Sequence, residues 1–94
     1  MIRSYSDRDT ERLAAGEKVR QWEPFRLQAE KRLRILDAAT ALADLAALNS
    51  NRLEALKGNR KGQYSIRINN QWRICFRWAQ GEPGPSDVEI VDYH

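Results

Sequence analysis

From Tyr64 onward the apolar and polar residues alternate with a period of two. Tyr64, Ile66 and Ile68 fall on one side and Ser65 and Arg67 on the other. After Asn69-Asn70-Gln71, the residues Trp72, Ile74, Phe76 and Trp78 repeat the apolar side, with Arg73, Cys75 and Arg77 opposite. Successive strand side chains point to opposite faces, so the pattern predicts a hairpin with one covered face. Loop length then selects the register. With Asn69, Asn70 and Gln71 all in the loop, Ile68 opposes Trp72, Ile66 opposes Ile74, Tyr64 opposes Phe76 and Arg67 stands across from Arg73. A two-residue loop would instead set Arg67 against Trp72 and scramble the faces. Gly81 to Ser86, with Pro83 and Pro85, reads as a loose connection. Asp87 to Tyr93 reads as a last strand, whose Val88, Ile90 and Val91 lack clean alternation, as in a strand covered on both sides or central in its sheet. Met1 to Ser6 alternates enough to predict a short first strand.

Between these strands the spacing becomes helical. Asp7 or Asp9 can cap a short helix over Thr10 to Ala15 that Gly16 stops. Glu23-Pro24 reads as the start of the longest helix, because proline at the first helical position lacks only a donor that would go unpaired there. Phe25, Ala29, Leu33, Leu36 and Thr40 then share one face, with Arg26, Glu30, Arg34 and Asp37 on the others. Thr40 can cap a further short helix over Ala41 to Ala47, whose Leu42 and Leu45, with Leu48 beyond, continue the apolar face. Helices with one apolar stripe are expected to form a layer on the sheet.

The chain has 94 residues, enough for one core and too few for two domains. Its net charge of +3 understates an asymmetry. Seven basic residues against Glu54 alone lie between Arg52 and Arg77, whereas four acidic residues and no basic one lie between Glu82 and Asp92. Such polarity favours an anionic partner, with nucleic-acid phosphates the leading class. No run approaches the roughly 20 apolar residues a membrane span needs. The opening residues lack a signal-peptide core, and one cysteine cannot form an internal disulfide, so the cytoplasm is the expected compartment. One histidine and one cysteine are too few for a dedicated zinc site, and no cofactor is expected.

The loop Lys57-Gly58-Asn59-Arg60-Lys61-Gly62 does not match a phosphate-binding Walker loop and reads either as a solvated turn or as a basic rim. Arg67 opposite Arg73 carries two readings: both guanidinium groups splay into water, or an anion lies between them. RNA cleavage needs a group to take the 2′-hydroxyl proton, a group to protonate the leaving oxygen, and cations to hold charge on the phosphorane-like transition state. Arg67 and Arg73 suit the charge, Lys57 with Arg60, Lys61 and Arg77 the RNA backbone, and Asp92 or His94 the protons. Tyr93 suits base stacking or proton transfer. A lone terminal histidine is by itself a common bystander, and Trp72, Trp78 and Cys75 read as packing residues.

At LEALKGNRKGQYSIRINNQWRICFRW and VEIVDYH, and over the MIRSYSD opening and the RLRILDAAT helix, the chain resembles the HigB-type toxins of the RelE/ParE superfamily. The resemblance implies a single α+β domain with two to three helices on one face of a mostly antiparallel four-stranded sheet. It also implies a type II toxin–antitoxin system, ribosome-dependent cleavage of mRNA without a metal, and a HigA-like helix-turn-helix antitoxin through which operator DNA is contacted only indirectly. Carried over by motif, the family's basic cleavage-site positions fall on Lys57, Arg67 and Arg73, and its C-terminal acid, tyrosine and histidine on Asp92, Tyr93 and His94. Some relatives place a histidine three residues before the LKG lysine, where this chain has Glu54. The same superfamily offers two rivals, a ParE-like inhibitor of DNA gyrase that cleaves no nucleic acid and an inactive module that only binds antitoxin.

Overall fold

The computed structural model describes residues 1–92, so the expectations for Tyr93 and His94 lie outside the described residues. Three α-helices, α1 (Arg8–Ala14), α2 (Arg26–Ala38) and α3 (Leu42–Ala47), precede a sheet of β1 (Glu54–Ala55), β2 (Gln63–Arg67), β3 (Trp72–Arg77) and β4 (Ser86–Asp92). The strands lie in the order β1-β2-β3-β4, each antiparallel to its neighbour. This is the expected α+β domain.

The hairpin takes the predicted register, with Tyr64 across from Phe76, Ile66 from Ile74 and Arg67 from Arg73. The Ile68 and Asn69 amides both donate to the Trp72 carbonyl, at 3.0 and 3.2 Å, closing the loop. Ile66, Ile74, Phe76 and Val88 are fully buried against Ala29, Leu33 and Leu36 of α2, so the period of two and the period of 3.6 meet in one core.

Asp7 caps α1 by accepting from the Thr10 amide. The helix ends in a Schellman motif: the Gly16 amide donates to the Leu13 carbonyl, the Glu17 amide to that of Arg12, and Gly16 takes φ 90°. Thr40 does not cap α3, whose N-cap Ala41 has no side-chain cap bond; Asp44 of the first turn reaches back to Thr40 instead. Its carboxylate accepts from the Thr40 amide and hydroxyl at 2.8 and 2.9 Å.

Three expectations are corrected. First, α2 starts at Arg26, and Pro24 sits inside a 3-10 turn spanning Arg20–Phe25. Side chains three apart nearly eclipse in that geometry, which lets Trp22 and Phe25 both enter the core and meet Trp72, with ring centroids 6.5 and 5.1 Å away. Second, Met1 to Ser6 is not a strand of the sheet; the fourth strand is β1, a two-residue element beside β2. The opening segment instead runs along the outer edge of β4 through a single parallel bridge, Tyr5 to Val88. The Arg3 amide donates to the Pro85 carbonyl, the Ser6 amide to that of Val88, and the Val88 amide to that of Ser4. Thr10 Oγ1 accepts from the Ile90 amide, so the edge donors of β4 find partners outside the sheet. Third, β4 is therefore an edge strand, not a central one, covered by chain from the start of the sequence.

The Gly81-to-Ser86 connection is not loose. Trp78 Nε1 donates to the Glu82 carbonyl, Arg3 pairs with Glu82, Pro85 is buried, and a β-carbon at Gly84 would meet the Met1 carbonyl oxygen at 2.0 Å. Among the described residues no helix is long and apolar enough to cross a membrane.

Candidate active site

The sheet face turned away from the helices carries the candidate chemistry. In strand register it takes Glu54 from β1, Ser65 and Arg67 from β2, Arg73, Cys75 and Arg77 from β3, and Glu89 and Val91 from β4. This face is far from uniformly solvated. Ser65 and Cys75 are buried, and Arg73 retains only 7% of its surface. Burial is the leading reason the Cys75 thiol is pushed above its ordinary pKa, with the Arg60 cation opposing, so this cysteine stays a neutral packing group.

Arg73 does not splay into water, and carbonyl, hydroxyl and carboxylate groups of the fold surround its guanidinium. Its Nε donates to Ser65 Oγ at 2.7 Å, its Nη2 to the Ser65 carbonyl at 3.3 Å and to the Arg52 carbonyl, and Glu54 lies 3.5 Å away. Arg52 holds a left-handed backbone, φ 48°, at the end of the Asn49–Asn51 turn, close to the residue whose guanidinium its carbonyl accepts. Arg67 turns the other way and donates to Asn70 Oδ1. Within the fold the cross-strand repulsion is thus eased by divergent, separately satisfied side chains.

Two clefts flank Glu54. The first, about 510 Å³, is lined by Glu54, Ala55, Leu56, Lys57, Arg60, Cys75, Val91 and Asp92. It brings together Lys57 and Asp92 from opposite edge regions of the sheet, at the end of β4 that leads toward Tyr93. Arg60 enters it already engaged, donating to Glu89 at 2.9 Å and Gln63 at 3.0 Å, and the bond to Glu89 is the main cause that raises its pKa. The second, about 470 Å³, is lined by Arg52, Leu53, Glu54, Arg67, Asn69, Asn70 and Arg73. The predicted set is therefore split, with Lys57 and Asp92 on one side of Glu54 and Arg67 and Arg73 on the other. Lys61 is exposed and lines neither cleft. Arg77, on the same face, pairs with Asp87 at 3.4 Å and also lines neither. Among the described residues, no group of three or more His, Cys, Asp or Glu side chains is placed to hold a metal ion.

A family profile described as the RelE-like toxin of the type II toxin-antitoxin system HigB matches residues 2–94. The chain belongs to the HigB-like toxin family. Toxin HigB-1 of Vibrio cholerae serotype O1 is 51% identical to it over 51 residues, covering 54% of each chain. Endoribonuclease HigB of Proteus vulgaris is 36% identical over 63 residues, covering 67% of this chain and 65% of that protein. The chain thus spans between about half and just under two thirds of the curated relatives it matches. Arg52, at the start of the basic run of this HigB-like chain, lines the second cleft without matching any of the motif positions.

Proposed function

We propose that this HigB-like chain is the toxin of a type II toxin–antitoxin pair and a ribosome-dependent mRNA endonuclease acting in the cytoplasm, restrained by a HigA-like helix-turn-helix antitoxin. The observation that carries the reading is the meeting of Lys57 and Asp92 across one cleft, with Arg67 and Arg73 beyond Glu54. A ribonuclease needs a cation and a proton-transfer group on either side of one phosphate, and this face offers both. Family membership and the printed name of the Proteus vulgaris relative support it further.

In this reading the RNA 2′-oxygen attacks its own 3′-phosphorus as the 5′-oxygen leaves. The Lys57 ammonium is exposed and suits a non-bridging phosphate oxygen. Arg67 stabilises charge from the adjoining cleft. Arg73 acts mainly as a positioning residue, fixing Glu54 and the Ser65 strand so that the cleft wall stands still. Asp92, with Tyr93 and His94 as the resemblance implies, moves the protons. Purified protein added to a translation extract is expected to cut mRNA, and Lys57→Ala and removal of His94 are each expected to lower cleavage by at least tenfold. Undiminished cleavage in both would overturn the site. Inhibition of gyrase supercoiling without mRNA cleavage would favour the ParE-like alternative.

A further inference from the structure

Three of the six basic residues first expected at the site are neutralised within the fold. Arg60 is paired with Glu89, Arg73 with Glu54 and Arg77 with Asp87. Among the described residues, one group of arginines without a carboxylate partner within 4.0 Å lies beside the Arg73 cleft. A third cleft, about 460 Å³, has Arg32 of α2, Arg52 of the Asn49–Asn51 turn's end and Arg67 of β2 on its walls, with Gln28, Ser50 and Asn70 between them. None of the residues lining it is acidic. Among the described residues none of the three arginines forms an ion pair. It shares Arg52, Arg67, Asn69 and Asn70 with the Arg73 cleft, so the two form one continuous trough.

Two of these arginines are held by neutral acceptors. Arg32 donates to Asn51 Oδ1 at 2.8 Å and to Ser50 Oγ at 3.3 Å; Asn51 is itself fully buried and donates to the Leu45 carbonyl at 3.1 Å. Arg67 donates to Asn70 Oδ1, and the Arg52 backbone is tied to the sheet through the carbonyl that takes Arg73. Neutral partners orient a guanidinium without cancelling its charge, and a planar fork held in this way suits phosphate oxygens.

We propose that the Arg32–Arg52–Arg67 cleft binds the RNA phosphodiester next to the one that reacts, with Arg67 standing between the two, and so extends the RNA path from the Lys57 cleft past Glu54 to Gln28 and Arg32 of α2. The proposal rests on the endonuclease reading. Each phosphate neutralised on a single strand releases condensed counterions, so such contacts are read in the salt dependence of binding.

The probe is a 2′-O-methyl single-stranded oligonucleotide, which cannot be cut, titrated against the full chain at several salt concentrations. Arg32→Gln with Arg52→Gln is expected to weaken binding at least tenfold and to flatten the log–log salt slope by about 0.7, the share of one single-strand phosphate. Asn70→Asp leaves the Arg32–Asn51 contact untouched and sets a carboxylate beside Arg67; it is expected to weaken binding at least threefold. Arg32→Lys should restore most of the slope. An unchanged slope in a double variant that melts as a folded protein overturns the proposal. So does a folded Asn70→Asp that binds like wild type, or a loss confined to antitoxin affinity. Failure of the endonuclease reading looks different: wild type then leaves mRNA intact in the translation extract whatever the cleft variants do to oligonucleotide binding.

Discussion

Two cross-strand pairs, one residue apart on the same hairpin, meet opposite fates. Ile66 and Ile74 face α2 and are fully buried; Arg67 and Arg73 face away. On the helix side, position is decided by exclusion from water, a non-directional force that asks only for apolar surface of the right size. On the other side one arginine is buried too, yet it is placed by directed bonds to Ser65, Arg52 and Glu54. Burial there depends on a few named acceptors, so it holds one arginine and releases the other. That asymmetry leaves Arg67 available beside Arg32 and Arg52 while Arg73 stiffens the wall.

The comparison is broken most severely on the apolar side. Phe76 is fully buried and stacks on Tyr64 with centroids 6.1 Å apart, so Phe76→Ala should cost about 3–5 kcal/mol in urea unfolding. A loss below about 1 kcal/mol there would mean that the core collapses around the vacancy. The polar side is sharpened by a matched pair of variants. Arg73→Met should cost about 2 kcal/mol, since it strips charged hydrogen bonds from buried acceptors while Glu54, half exposed, regains water. Arg67→Met should stay within about 0.5 kcal/mol, as is usual for surface positions. Equal losses would dissolve the distinction drawn between the two arginines.

The smallest effect is a control remote from both faces. The Thr40 amide, and after it the Thr40 hydroxyl, hold the Asp44 carboxyl below its ordinary value of 3.8. A carboxylate whose folded pKa is depressed contributes stability above its unfolded pKa and loses it as pH falls through the folded one. Wild type and Asp44→Ala should therefore differ in melting temperature near neutrality and converge below about pH 3.8. A gap that persists at acid pH would assign the difference to packing.

What the chain discloses follows the same division. The hairpin register, the α1 cap at Asp7 and the core face of α2 are legible because each rests on local spacing and on exclusion from water. The burial of Arg73 is not legible, because it depends on the carbonyl of Arg52, 21 residues distant in sequence and aimed by a left-handed backbone that a non-glycine residue rarely takes. β1 escapes notice because two residues cannot show a period. The opening segment was readable as extended backbone but not as the cover of β4, since one parallel bridge leaves no pattern. Lys57 and Asp92 are legible on motif and line one cleft. Arg32 is not, because only the third dimension sets it beside Arg52.

The cover over β4 has a consequence for how the protein is made. Its partners are separated by nearly the whole chain: Arg3 and Ser4 meet Pro85 and Val88, and Thr10 meets Ile90. Contacts of such separation form late, because a long loop must close first. During synthesis, the strand that carries Asp92 leaves the ribosome after every helix, and its outer edge is sealed only when the segment from Arg3 to Thr10 comes back to it. The cleft wall is thus among the last parts of the molecule to be assembled, and any species that lacks the opening segment presents a bare strand edge, open to other chains, in its place.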